Sequence, residues 1–205
     1  MTHYHYGAAV STAADYSGVD MRGEVMLLSR NIKLAGQDAE GWGCQVMISD
    51  LLEGNGEIRN GSAYLDHVEI YNCSQVDTFK AALRFEKAKM KHSTISNCAI
   101  HHGNGIGVQI YESSNILLKG NIIFDFVRFS LNVENVKNMT IDNNWIFITK
   151  SRHLHVGMTG DPVAAVAGCA RPGGTTCSGL SITNNIAAGV EAGGVDTAGY
   201  AAMGH

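Results

Sequence analysis

Asp77, His102 and Asp125 are the side chains whose types and spacing suit joint chemistry, standing 25 and 23 residues apart. In a chain that repeats with that period they take equivalent positions on successive levels. A carboxylate, an imidazole and a second carboxylate then follow one another in steps of ~5 Å, close enough to share a proton or hold a cation. The same three residues serve equally as turn residues that satisfy the backbone and one another, and no nucleophile or arginine pair accompanies them. The expectation is therefore no catalytic group, with Asp77, His102 and Asp125 as the only candidates. Histidines offer a second chemistry: His101 and His102 are adjacent, and His153 and His155 lie at i and i+2, on one face of a strand. Neither pair has an evident third ligand, so no metal and no other cofactor is expected. Tyr4, His5 and Tyr6 either stack on sugars or pack on the first coil.

The elements that would position these groups come from an internal repeat. Five segments match: HVEIYNC at 67–73, STISNC at 93–98, ILLKGN at 116–121, MTIDNN at 139–144 and LSITNN at 180–185. Their shared apolar position reads Ile70, Ile95, Leu118, Ile141 and Ile182, at intervals of 25, 23, 23 and 41 residues. A second strand keeps the frame through Leu83, Val108, Leu131 and Leu154, each followed two residues later by another apolar side chain. Alternation points Phe85, Ile110, Val133 and Val156 inward and Arg84, Gln109, Asn132 and His155 outward. Two strands in one register predict an all-β chain, a right-handed parallel β-helix of roughly seven coils whose strands stack ~4.8 Å apart over ~35 Å. The position after the recurring turn residue reads Cys73, Cys98, Asn121, Asn144 and Asn185, which predicts amides bonding one another along the axis. Residues 1–205 form a single β-helix section. The surplus of 18 residues in the last interval predicts a loop excursion over 158–178.

Composition narrows the function. The 205 residues are 45% hydrophobic and 17% charged, with 24 glycines, two prolines and a formal net charge of −4. Such a chain builds one sizeable core but lacks the basic field of a nucleic-acid binder. No apolar run is long enough to span a membrane, so no membrane contact by this segment is expected. Asn138, Asn60 and Asn72 each begin an N-glycosylation sequon, Asn138 being the favoured site, and five cysteines suit an oxidising compartment. Cys169 and Cys177 are the better disulfide candidates; Cys73 and Cys98, in equivalent positions of neighbouring coils, are the second, which leaves Cys44 free, buried or paired elsewhere. Secreted chemistry without a recognisable signal peptide suggests an internal piece of a larger extracellular polypeptide.

At RGEVMLLSRNIKLAG (22–36), GWGCQVMISD (41–50), YLDHVEIYNCSQ (64–75), NNIAAG (184–189) and AGYAAMGH (198–205) the chain resembles the fibrocystin and fibrocystin-like family. The cell-surface and secreted hyaluronidases of the cell-migration-inducing hyaluronan-binding type share related segments. The resemblance implies an extracellular β-helix within a much larger cell-surface protein. The expected role is that of a non-catalytic structural or adhesion module, part of a surface or ciliary filament. The alternative is a β-helix that binds or cleaves polysaccharide in the manner of a hyaluronidase. Expected partners are other domains of the same polypeptide or other copies in an assembly, N-linked glycans and, under the alternative, an extracellular polysaccharide.

Overall fold

In the computed structural model the described residues are 26–37, 43–75, 78–150, 163–169, 176–190 and 197–202. They form nineteen strands and no helix. The first parallel sheet runs β1 (Ile32–Ala35), β6 (Val68–Tyr71), β9 (Ala99–His101), β12 (Ile122–Val127), β15 (Trp145–Lys150) and β18 (Ile186–Val190). The second runs β2 (Val46–Ile48), β7 (Leu83–Glu86), β10 (Val108–Tyr111), β13 (Phe129–Glu134), β16 (Val163–Gly168) and β19 (Thr197–Ala202). The third runs β5 (Tyr64–Asp66), β8 (Ser93–Ser96), β11 (Ser114–Lys119), β14 (Lys137–Asp142) and β17 (Ser178–Thr183). A short antiparallel hairpin of β3 (Leu51–Leu52) and β4 (Ile58–Arg59) projects from the first coil. Each strand pairs with the strand three elements away in chain order, or more where the hairpin intervenes, which is the connectivity of a three-sided parallel β-helix.

Alternation along the strands builds the core. Phe85, Ile95, Ile110, Leu131, Val133 and Ile141 are fully buried, while Arg84, Glu86, Thr94 and Ser96 remain partly exposed. The corner after the third sheet requires the left-handed backbone region, at Asn97 (φ 52°), Gly120 (φ 65°), Asn143 (φ 55°) and Asn184 (φ 54°). Asn and Gly enter that region at the lowest steric cost, which accounts for their recurrence. The next position carries the expected ladder. Asn121 donates from Nδ2 to Asn144 Oδ1 at 2.9 Å, and Asn144 donates to Asn185 Oδ1 at 2.8 Å. The second Nδ2 protons reach the Ile95, Leu118 and Ile141 carbonyls at 2.8–3.0 Å. Buried amides are thus satisfied entirely within the stack.

Three expectations change. Leu65, not Ile70, pairs with Ile95, and Ile70 stacks on Ile100 in the first sheet. The earliest coil therefore registers through YLD at 64–66, and Cys73 does not share a position with Cys98. Six levels of strand, not seven, are present among the described residues. The span 158–178 is not one excursion, because Val163–Gly168 is β16, with Val166 paired to Leu131. Leu154 and Val156, expected at that rung, lie outside the described residues. The surplus is divided between two corners. Twelve residues separate β15 from β16 where Arg128 alone separates β12 from β13, and nine separate β16 from β17 where Asn135 and Val136 separate β13 from β14.

Candidate functional site

A bend along one edge of the first sheet, at the end of β6 and β9 and inside β12, β15 and β18, carries the candidate chemistry. Asn72, His102, Asp125, Ile148 and Gly189 all adopt the left-handed region there, with φ between 52° and 66°. They directly follow the stacked residues Tyr71, His101, Phe124, Phe147 and Ala188. This column brings His102 and Asp125 to adjacent levels, with His102 Nε2 3.6 Å from Asp125 Oδ2. The level before His102 is occupied by Asn72; Asp77 lies outside the described residues, as do His153, His155 and the Tyr4–His5–Tyr6 cluster.

Every member of the group is already engaged. Lys150 Nζ is ion-paired with Asp125 Oδ1. His101 Nδ1 meets His102 Nδ1 at 2.6 Å, and His101 Nε2 lies 3.4 Å from Glu69 Oε1. A neutral His101 protonated on Nε2 accepts from His102 on Nδ1, while its Nε2–H faces Glu69 without completing a hydrogen bond. Burial, and then the neighbouring His102, hold the His101 imidazole below its ordinary pKa, with Glu69 pulling the other way. Burial works to raise the Glu69 carboxyl. The Arg30 N–H at 2.8 Å and the Lys33 ammonium at 3.1 Å outweigh it, so the group sits below its usual range. Tyr71, His101, Phe124 and Phe147 form one outward stack with centroid spacings of 5.6, 4.8 and 4.9 Å. Glu69, His101, His102 and Asp125 thus follow one another at 3.4, 2.6 and 3.6 Å, but the contacts of His102 include no hydroxyl or thiol. Among the described residues, no group of three His, Cys, Asp or Glu side chains is placed to hold a metal ion.

A second site was not foreseen. Phe79, Arg84, Glu86, Gln109, Tyr111 and Glu134 line a cleft of about 230 Å³ on the outer face of the second sheet. Arg84 pairs with Gln109 and Gln109 with Asn132 in register, and Glu86, Tyr111 and Glu134 form the parallel column two residues on. Arg84, Gln109 and Asn132 were expected to face outward, and they do. Yet Gln109 and Asn132 are only 2% and 4% exposed, because their amides bond each other at 2.8 Å and Asn132 also donates to Glu134 Oε1 at 2.7 Å. The repeat frame was signal enough to find both columns; Phe79, in a connection with no periodicity, gave none.

Cys169 and Cys177 form a disulfide that closes the corner between β16 and β17. Cys73 is bonded to Cys44, with a Cα separation of 4.2 Å, and Cys98 is a buried free thiol. The register explains the correction: Cys73 lies just past β6, next to Cys44 of the preceding coil, whereas Cys98 stands at the end of the asparagine ladder and donates its N–H to Asn121 Oδ1 at 2.9 Å. Asn60 and Asn138 are exposed and Asn72 is half-buried.

Three parallel sheets, corner columns of left-handed residues and an internal amide ladder define a parallel β-helix. The chain matches the family described as right-handed beta helix region over residues 45–202, and it belongs to that family. It is also similar to fibrocystin-L of Homo sapiens, with 25% identity over 137 residues, 60% of this chain and 3% of that protein. Fibrocystin of Mus musculus is 25% identical over 149 residues, 73% of this chain and 4% of the relative. The fibrocystin-like resemblance expected from the sequence is therefore found, and the chain spans only a few per cent of the length of these relatives. No solved structure matches.

Proposed function

We propose that this chain is a non-catalytic structural or adhesion module of an extracellular, fibrocystin-like cell-surface protein. One observation carries the reading: among the described residues, the aligned pair His102 and Asp125 is engaged with neighbours, Asp125 with Lys150 and His102 with His101. A general base also needs a reacting partner beside it, and among the described residues His102 contacts no hydroxyl or thiol. Two disulfides suit an oxidising, extracellular setting, and the exposed sequon residues Asn60 and Asn138 suit N-linked glycans there. Among the described residues, the outermost strands β1, β2 and β5 at one end and β17, β18 and β19 at the other have no partner on their outer edge, which suits end-on contact with other domains of the polypeptide or with another copy in a filament. Incubation with hyaluronan and with pectic chains, followed by sizing of the products, tests the reading. Unchanged chain length is expected; shortening that is lost in His102→Ala or Asp125→Asn would establish the polysaccharide-cleaving alternative.

A further inference from the structure

We propose that the corner between the second and third sheets at residues 87–92 binds a sulfated polysaccharide chain. The inference rests on the extracellular setting proposed above, to which it adds a ligand class and a site, and it does not depend on the chain being non-catalytic.

A departure from the repeat is the first observation. Register aligns Glu86, Tyr111 and Glu134 at the end of the second sheet and Ser93, Ile116 and Met139 in the third. Between them, six residues (87–92) turn the corner in the first of these coils, against four (112–115 and 135–138) in the two that follow. The longer connection reads Lys-Ala-Lys-Met-Lys-His. Ala88 is buried and anchors it, while Lys87, Lys89, Lys91 and His92 are all exposed. Three lysines and a histidine within six residues, on a chain of formal net charge −4, set a local positive field against an acidic whole.

Pairing is the second observation. Other lysines stand beside carboxylates: Lys33 is 3.1 Å from Glu69, Lys119 is 3.5 Å from Asp142, and Lys150 is paired with Asp125. In the corner only Lys89 has such a neighbour, Glu112 at 3.7 Å; among the described residues Lys87 and Lys91 have no carboxylate within ion-pair distance. Asp50 is close, but its two oxygens accept from the N–H groups of Gly61 at 2.9 Å and Lys89 at 2.8 Å. An anionic ligand therefore meets two unopposed ammonium groups and a third shared with Glu112.

The backbone that carries them is already fixed. The Lys87 N–H donates to the Tyr111 carbonyl at 3.0 Å, the Ala88 N–H to Ser113 Oγ at 3.1 Å, and the Lys89 carbonyl accepts from Asn115 Nδ2 at 3.2 Å. Binding then has only side chains to order, which lowers its entropic cost.

Geometry selects the class of ligand. Side chains leaving an outer corner reach different points of whatever they bind, and a single small anion gains one exposed ion pair of little worth. A polymer with repeated anionic groups gains several at once. The corner holds no arginine fork, the group suited to a bidentate grip on phosphate or carboxylate; lysines act as point charges. Closely spaced sulfate esters, ionised across the physiological pH range, suit such point charges, and extracellular polysaccharides are the polymers that carry them.

The test is an amide chemical-shift titration of the isotope-labelled chain with a heparin octasaccharide at about 50 mM salt, where screening is weak. Chemically desulfated heparin, a hyaluronan octasaccharide, inorganic sulfate, a single-stranded oligonucleotide and phosphatidylserine vesicles are the comparison probes. The heparin octasaccharide is expected to shift the amides of Lys87, Lys89 and Lys91 saturably and to bind at least about tenfold more tightly than any other probe. Lys87→Gln combined with Lys91→Gln should weaken it about tenfold and reduce the salt dependence, whereas Lys80→Gln, an exposed lysine outside the corner, should change binding less than about twofold. All three side chains are exposed, and the amide spectrum of each variant verifies its fold. Absence of saturable shifts at these amides, equal binding of desulfated heparin or hyaluronan, equal or tighter binding of the oligonucleotide or the vesicles, or a double variant no weaker than Lys80→Gln would overturn the proposal. Failure of the extracellular setting shows separately, as absent N-linked glycan and reduced cysteines in the protein from its native cells, whatever the heparin titration gives.

Discussion

Asn144 accepts from Asn121 on its Oδ1, through both the backbone N–H and Nδ2 at 2.9 Å, while its own Nδ2 donates to Asn185 at 2.8 Å. It is the middle rung of the ladder and is itself fully buried, as is Asn121, so water does not replace the bond between them. Asn144→Leu should cost about 3 kcal/mol or more, because it leaves two Asn121 donors and the Leu118 carbonyl unmatched. Lys137→Ala, an exposed residue of β14, should stay within about 0.5 kcal/mol. Denaturant melts compare them, and equal effects would show that the ladder contributes nothing to stability.

The inward and outward columns separate in the same way. Ile95→Asp and Ile141→Asp each place a charge in the core and should cost more than about 4 kcal/mol or prevent folding. Arg84→Ala should be mild. Gln109→Ala should cost about 1 kcal/mol, since Asn132 keeps its bond to Glu134 when Gln109 is gone. An Ile141→Asp melt as mild as that of Arg84→Ala would contradict the register.

Acid should weaken the fold through His101. Its folded pKa lies below the unfolded value, so below about pH 6.5 the unfolded chain binds the proton that the native chain refuses, and stability falls until the folded pKa is passed. His101→Phe should flatten this slope while extending the Phe124–Phe147 stack. Asp66 adds a lower window. Hydrogen bonds from Ser96, Asn97 and His67 bring its pKa down to about 2, so its contribution is present above the unfolded value near 4 and is lost as pH falls toward 2. Melts from pH 7 to pH 2 test both, and a slope between pH 6.5 and 5 that survives His101→Phe would remove His101 as its cause.

The two long corners should be separable from the helix. Replacing residues 151–162 by a single glycine, which suits the left-handed backbone that Arg128 adopts at the equivalent corner (φ 72°), should leave a cooperative melt near that of the parent. Deleting 158–178 removes β16 and both its ladders and should abolish the cooperative transition. A stable 158–178 deletion would show that the second sheet does not need that rung.

Glycan mapping and thiol alkylation test the surface chemistry. In protein secreted from eukaryotic cells, mass spectrometry should find glycan on Asn138 or Asn60 and none on Asn72, whose neighbour Cys73 is disulfide-bonded. Without denaturant, no cysteine should alkylate; with denaturant but no reductant, Cys98 alone should. Glycan on Asn72, or labelling of Cys44, would contradict the corner geometry.

The sequence was most legible where side chains alternate. Leu83, Val108 and Leu131, and Ile95, Leu118, Ile141 and Ile182, stack as their spacing predicts. It misled where letters matched better than environments. HVEIYNC resembles STISNC as a string, but Leu65, at an edge strand with half-exposed residues, is the true counterpart of Ile95. It was silent at β16, where VAAVAG is buried on both faces and shows no alternation, so Leu154-His155-Val156 looked the better strand. His102 and Asp125 were correctly aligned as neighbours; their engagement with His101 and Lys150 depends on side-chain contacts that spacing does not encode.

The Cys44–Cys73 bridge joins two successive coils, whereas Cys169–Cys177 closes within one corner. Under mechanical load this makes the stack polar. Peeling from the β19 end meets only non-covalent ladders between coils until Cys73 is reached, but peeling from the β1 end halts at a covalent clamp as soon as Cys44 is reached. Tension across such a module is therefore released in a fixed direction, and a reducing environment would abolish that directionality without removing a single strand.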